Sequence, residues 1–264
     1  MDAKNPLKNI ITDGGFTAIF RTIGCVGDSL SSGEHESLDE NGVRGYHDFY
    51  EYSWGQFIAR KCGSIVRNFS SGGLKASEIS DLFGAWRHVY DKENACQAYI
   101  IALGVNDASE ILNGKLTVGD EGDVCVEYYA ENKATFAGYY AKVIQRLRLT
   151  SPESRIFLVT PPKMCTDEPE RVKIYDKMAE ILHKFAKLFP YTYVIDLRAD
   201  GEVYDEKFIS MYFVGAHLNA MGYLYTANVI STYIDFIIRE NYQDFKQVAF
   251  INTGYSYIEN QREV

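Results

Sequence analysis

Hydrophobic positions along this chain fall into two kinds of run that alternate. Short, continuous apolar stretches recur at 21–26, 64–69, 98–103, 155–160 and 192–197. Each is rich in Val, Ile, Tyr and Phe and bounded by Gly, Pro or Asp, as strands are. Continuous rather than alternating apolar character predicts strands covered on both faces, hence a parallel sheet. Between them the spacing is helical. Trp54, Phe57, Ile58 and Lys61 follow Ser53 as N-cap, and Ile79, Leu82, Phe83 and Trp86 follow Ser77. Phe136, Tyr140, Val143, Ile144 and Leu147 mark a longer helix ended by Ser151-Pro152. Ile174, Met178, Ile181, Leu182 and Phe185 mark another, and the stretch from Tyr223 to Ile238 the last. Strand–helix alternation with right-handed crossovers predicts a three-layer α/β/α sandwich of about five parallel strands. With no internal repeat, low-complexity segment or boundary signal, the whole of 1–264 reads as one domain, with a core at about 22–238 and a C-terminal tail at 239–264.

Two segments break the pattern and read as irregular. Residues 31–52 are polar and aromatic, with four acids before residue 41, and residues 111–123 carry three glycines. Loops leaving the carboxyl ends of parallel strands wall the site in such folds. Both are therefore candidates for a substrate-facing rim, against the plainer reading of solvated surface loops. His35, flanked by Glu34 and Glu36, reads as part of a solvated charged loop.

Composition narrows the function classes. A net charge of -9 argues against nucleic acid or an anionic membrane as the main partner. The five cysteines (Cys25, Cys62, Cys96, Cys125 and Cys165) have no paired short spacing and read as buried, reduced thiols. No apolar run has the length of a signal peptide or a membrane span, so a cytoplasmic location is the default expectation. No phosphate-binding glycine loop follows any predicted strand, and no metal site or cofactor is implied. The 20 tyrosines and 15 phenylalanines mostly fall on predicted helix faces and strands, where they read as core.

Chemistry concentrates at predicted strand ends. Gly27-Asp28-Ser29-Leu30 follows the first strand, where a turn presents one hydroxyl at the mouth of the sheet. Gly72-Gly73 follows the second strand, and a glycine lets a backbone N–H approach a carbonyl oxygen, unless the pair merely makes the turn. Asn106 follows the third, in Gly104-Val105-Asn106-Asp107; its amide is a neutral donor suited to an oxyanion, or else it makes an Asx turn, and Asp107 suits local backbone bonding. Of five histidines, His217 lies just ahead of the last helix, and an imidazole is the base a serine nucleophile needs.

Taken in order, Ser29, Gly73, Asn106 and His217 resemble the four blocks of the GDSL, or SGNH, hydrolase family. The resemblance runs from about Thr22 to Ile238 and implies a flavodoxin-like α/β fold. Gly73, rather than Gly72, matches the family's second block because it falls five residues after Asn68. The family pattern implies an acyl-enzyme on Ser29, with His217 as base and then acid. It assigns the oxyanion to the Ser29 and Gly73 N–H groups and the Asn106 side chain. It implies small ester substrates, with short acyl groups such as sugar acetates preferred and lysophospholipids or thioesters the alternative. The chain departs from the family at Val214, where an aspartate three residues before the histidine is usual. A backbone carbonyl would then orient His217, or another acid would reach in, with Asp196, Asp200, Glu202 and Asp205 the nearest in sequence. If none does, the alternative class is a binding domain without turnover.

Overall fold

A computed structural model describes residues 5–257. The ends of the chain, including 258–264 of the predicted tail, lie outside the described residues. The nine strands are β1 (Thr22–Gly27), β2 (Glu34–Leu38), β3 (Arg44–Asp48), β4 (Ile65–Ser70), β5 (Ala98–Ala102), β6 (Arg155–Val159), β7 (Thr192–Ile195), β8 (Phe213–Val214) and β9 (His217–Leu218). Five of them form a parallel sheet in the order β4-β1-β5-β6-β7. Each lies within two residues of a continuous apolar run in the sequence.

Period-2 geometry divides the strand residues between two cores. Val26, Tyr99, Ile101, Ile156 and Leu158 face one layer, where they meet Phe136, Tyr140 and Ile144 of helix Phe136–Thr150 and Met178, Leu182 and Phe185 of helix Pro169–Leu188. Cys25, Ile100 and Phe157 face the other, packed on Trp54 and Ile58 of helix Trp54–Cys62 and on Tyr223, Ile230 and Ile234 of helix Ala220–Glu240. Three layers result. Side-chain caps start the long helices: Ser53 accepts from the Gln56 N–H at 3.2 Å, Thr135 from Gly138 at 3.1 Å and Asn219 from Gly222 at 3.0 Å. The chain beyond 239 contributes to the core as well, since Phe245, Val248 and Ile251 are buried and the Phe245 ring packs on Phe20, Phe157 and Tyr193.

Several sequence expectations are corrected. Residues 31–52 are not irregular: β2 and β3 form an antiparallel hairpin, closed by a turn in which the Asp39 carboxylate accepts from the N–H groups of Asn41 and Val43 at 2.9 and 2.8 Å. The helix expected behind Ser77 splits into Ala76–Ser80 and Leu82–Trp86, because Asp81 leaves helical geometry (φ -128°, ψ -89°). Leu82 and Trp86 consequently face solvent. All five cysteines are free, but only Cys25, Cys62 and Cys96 are buried; Cys125 is half-buried and Cys165 exposed. Among the described residues no helix is long and apolar enough to cross a membrane.

Candidate active site

The second strand in sequence lies on one side of β1 and the third on the other, so the chain reverses its winding direction at β1. A crevice forms outside the carboxyl ends at such a switch point. Gly27 ends β1, and a Cβ there would stand 2.8 Å from the Ala102 carbonyl, so only glycine lets the next turn descend onto β5. Asp28 then caps the short helix Ser29–Ser32, accepting from the Leu30 N–H at 3.1 Å. Burial pushes the Asp28 carboxyl up to about 6, against the pull of the Leu30 N–H and of His217. Ser29 is thereby the first helical residue at the mouth of the sheet.

Asn106 lies in the first turn of helix Val105–Leu112, directly after β5, and its Nδ2 donates to the Leu74 carbonyl at 3.1 Å. That bond ties the helix to the turn carrying Gly72 and Gly73. Gly73 has φ +74°, a left-handed conformation that side chains rarely adopt. The backbone N–H groups of Ser29, Gly72 and Gly73 donate to no protein group among the described residues. Beside them Asp107 is fully buried and accepts from the Ala76 N–H at 3.1 Å, and burial pushes its carboxyl up to about 7. Asp107 serves the backbone, as the sequence reading expected.

Ser29, Asn106 and His217 line one cleft of about 250 Å³, along with Asp28, Leu30, Tyr175 and Pro161-Pro162. Gly73 is not among the lining residues and meets the site only through Leu74 and Asn106. A second, largely apolar cavity of about 70 Å³ shares Asp28, Leu30 and Val105 with that cleft and runs in towards Trp54 and Ile230. Residues 111–123 line neither. They brace helix Phe136–Thr150 instead, where Thr117 and Val118 accept from the Phe136 and Ala137 N–H groups.

His217 sits in β9 and pairs in register with Val214 of β8, whose side chain is half exposed. None of the four acids nearest in sequence reaches the ring. Asp196 binds His183 at 2.6 Å and Thr160 at 3.0 Å, Asp200 accepts from Tyr233, Glu202 accepts from Tyr225, and Asp205 caps the Phe208 N–H. The acid comes from the β2–β3 hairpin. Glu36 Oε1 lies 2.8 Å from His217 Nδ1 and accepts from the Ala216 N–H at 2.8 Å, while Oε2 pairs with Arg44. Its side chain is 3% exposed. Burial alone would raise the Glu36 carboxyl, but His217, the Ala216 N–H and Arg44 outweigh it and hold the group below the usual glutamate range.

Glu34 stands on the other side of the ring. Period-2 geometry puts it on the same face of β2 as Glu36, with its Oε1 3.1 Å from His217 Nε2. Burial raises the Glu34 carboxyl; His217 opposes this, and Asp48 and Glu36 add to it. No hydrogen bond joins Ser29 to His217 here. The hairpin is held in place by Tyr223, which donates to the Glu34 carbonyl at 2.7 Å, and by Ser32, which donates to Asp48 at 2.6 Å. The His35 ring lies on the opposite face, against Phe49 and Tyr223. Glu34 and Glu36 are therefore not a solvated pair; the sequence signal that could have found them is their i, i+2 spacing within an unrecognised strand. Among the described residues no three His, Cys, Asp or Glu side chains converge as a metal site.

Comparisons with known proteins follow the same lines. The chain resembles in fold a family two carbohydrate esterase from Clostridium thermocellum solved with cellohexaose, with a TM-score of 0.57 and 13% identity over 85% of this chain and 65% of that one. A family two carbohydrate esterase from Corynascus thermopiles gives a TM-score of 0.56 and 14% identity over 83% and 67%. A family 3 carbohydrate esterase from Clostridium thermocellum gives 0.52 and 17% over 83% and 97%. No curated protein matches the chain in sequence. The sequence profile of the GDSL-like Lipase/Acylhydrolase family matches residues 25–224, most of the chain, so the protein belongs to that family.

Proposed function

We propose that the chain is a serine ester hydrolase that forms an acyl-enzyme on Ser29. The observation that carries this reading is the His217 Nδ1–Glu36 contact of 2.8 Å beside a cleft shared by Ser29, Asn106 and His217. The Ser29 hydroxyl attacks the acyl carbonyl as His217 Nε2 takes its proton, and Glu36 holds the Nδ1–H and balances the charge on the ring. The negative charge on the former carbonyl oxygen falls to the Ser29 and Gly73 N–H groups and the Asn106 amide. On collapse His217 returns the proton to the departing alcohol, and water then repeats the sequence to free the acid. The binding-domain alternative rested on Val214, and Glu36 supplies the carboxylate missing there.

Two observations support a short acyl group on a sugar. A water occupies about 10–15 Å³ by the measure that gives the inner cavity about 70 Å³, so that cavity suits a chain of a few heavy atoms and not a fatty one. The chain also shares its fold with the carbohydrate esterases named above. A fluorophosphonate probe should label the wild type and leave Ser29→Ala unlabelled. Hydrolysis across p-nitrophenyl esters should peak at short chains and extend to acetylated sugars. Labelling that survives Ser29→Ala would sink the assignment.

A further inference from the structure

Glu34 occupies the place on His217 that catalysis needs. Its Oε1 is 3.1 Å from Nε2, the ring nitrogen that must face the Ser29 hydroxyl and later the departing alcohol. Its Oε2 presses on the turn before Gly73, where a Cβ on Gly72 would stand 2.3 Å from it. An ionised carboxylate only accepts. With Glu36 on Nδ1 and an ionised Glu34 on Nε2, the ring carries both protons and has no lone pair for Ser29. If Glu34 is protonated instead, its O–H takes that lone pair. Either way Nε2 is engaged, and substrate must move the Glu34 carboxylate aside.

Where the carboxylate goes decides which substrates are favoured. The departing alcohol oxygen lies against Nε2 when it is protonated, so groups on the neighbouring carbon lie next to Glu34. A hydroxyl or ammonium there donates to the displaced carboxylate and compensates for the bond lost to His217. A plain aryl or alkyl alcohol offers nothing. An anionic group meets Glu34, Glu36, Asp48 and Asp28, opposed only by His217 and Arg44.

We infer that Glu34 is a specificity-determining residue that selects esters whose alcohol carries a hydrogen-bond donor beside the ester oxygen, as a partly acetylated sugar does. This rests on the hydrolase reading above. The test compares p-nitrophenyl acetate, a mono-acetylated methyl glycoside with a free neighbouring hydroxyl, and the same glycoside with that hydroxyl methylated. In Glu34→Ala, kcat/KM for the hydroxyl-bearing glycoside should fall about tenfold or more, the size of one hydrogen bond to a charged group. For p-nitrophenyl acetate it should rise, by ~3-fold or more, as Nε2 is released. The methylated glycoside should follow p-nitrophenyl acetate, and Glu34→Gln should restore part of the preference because its amide oxygen still accepts. Parallel falls on all three esters, or no change on any, would overturn the inference while leaving the hydrolase intact. A wild type that hydrolyses none of them and resists the fluorophosphonate would overturn the hydrolase reading itself, and this one with it.

Discussion

Replacing Glu36 with glutamine tests the least expected feature of the site. When His217 accepts the Ser29 proton, a unit positive charge forms beside the Glu36 carboxylate, whose Oε1 is 2.8 Å from Nδ1. Opposite charges about 4 Å apart attract by ~4 kcal/mol at an effective dielectric of ~20, and by ~1 kcal/mol in bulk water. Side-chain exposures of 3% for Glu36 and 13% for His217 put the pair towards the drier end. Losing the charge while keeping a neutral hydrogen bond should therefore raise the barrier by about 2–4 kcal/mol, or about 30- to 1000-fold in kcat. Arg44 makes the outcome worse, because it only donates. The new amide turns its oxygen to Arg44 and its NH2 to Nδ1, which selects the wrong tautomer. Arg44→Ala combined with Glu36→Gln should then recover part of the loss, a coupling readable from a double-mutant cycle. Initial rates on p-nitrophenyl acetate give kcat, and a thermal melt checks that the variant folds. Because the Glu36 carboxyl is held below its usual range, it stabilises the fold at neutral pH, and that contribution fades as pH falls through its folded value. The Tm gap between wild type and variant should accordingly narrow in acid. A folded Glu36→Gln with kcat within about threefold of wild type would refute the reasoning.

Two further substitutions bear on the same constellation. Val214→Asp should leave kcat level or lower it, since Glu36 already holds Nδ1 and the Val214 side chain is half exposed; a gain of about tenfold, absent in Val214→Asn, would show that Glu36 does not orient the ring. Asn106→Ala should lower kcat by about 10²–10³, roughly 3–4 kcal/mol, with KM little changed. A lower Tm with unchanged kcat would confine Asn106 to its bond with Leu74.

The five-stranded sheet was legible because each of its strands is buried on both faces and so wrote a continuous apolar run. Ser29, Asn106 and His217 were legible for a related reason: each follows the end of such a run or precedes a capped helix. The hairpin was not. Its alternate positions, Glu34-His35-Glu36-Ser37 against Arg44-Gly45-Tyr46-His47, are polar on both faces, so period-2 burial leaves no mark. A lone two-stranded ribbon is marginal in water, and what holds this one lies elsewhere in the chain: Tyr223 on the Glu34 carbonyl, Ser32 on Asp48, and the Ala216 N–H on Glu36. The acid itself was sought near His217 in sequence, but Glu36 is 181 residues away. No local spacing encodes that pairing.

Placing the acid on β2 does more than replace the aspartate absent at Val214. An aspartate three residues ahead of the histidine would serve one ring nitrogen and bring no companion. A strand that presents Glu36 to Nδ1 presents its i-2 neighbour on the same face, so Glu34 arrives at Nε2 by the geometry of the strand alone. Orientation of the base and obstruction of the base then have one cause, the docking of a single hairpin. Displacing Glu34 need not disturb Glu36, because Glu36 has its own anchors in Arg44 and the Ala216 N–H, whereas Glu34 has only His217 and the surface of Gly72. The two carboxylates thus differ in how firmly they are held, and the looser one faces the cleft.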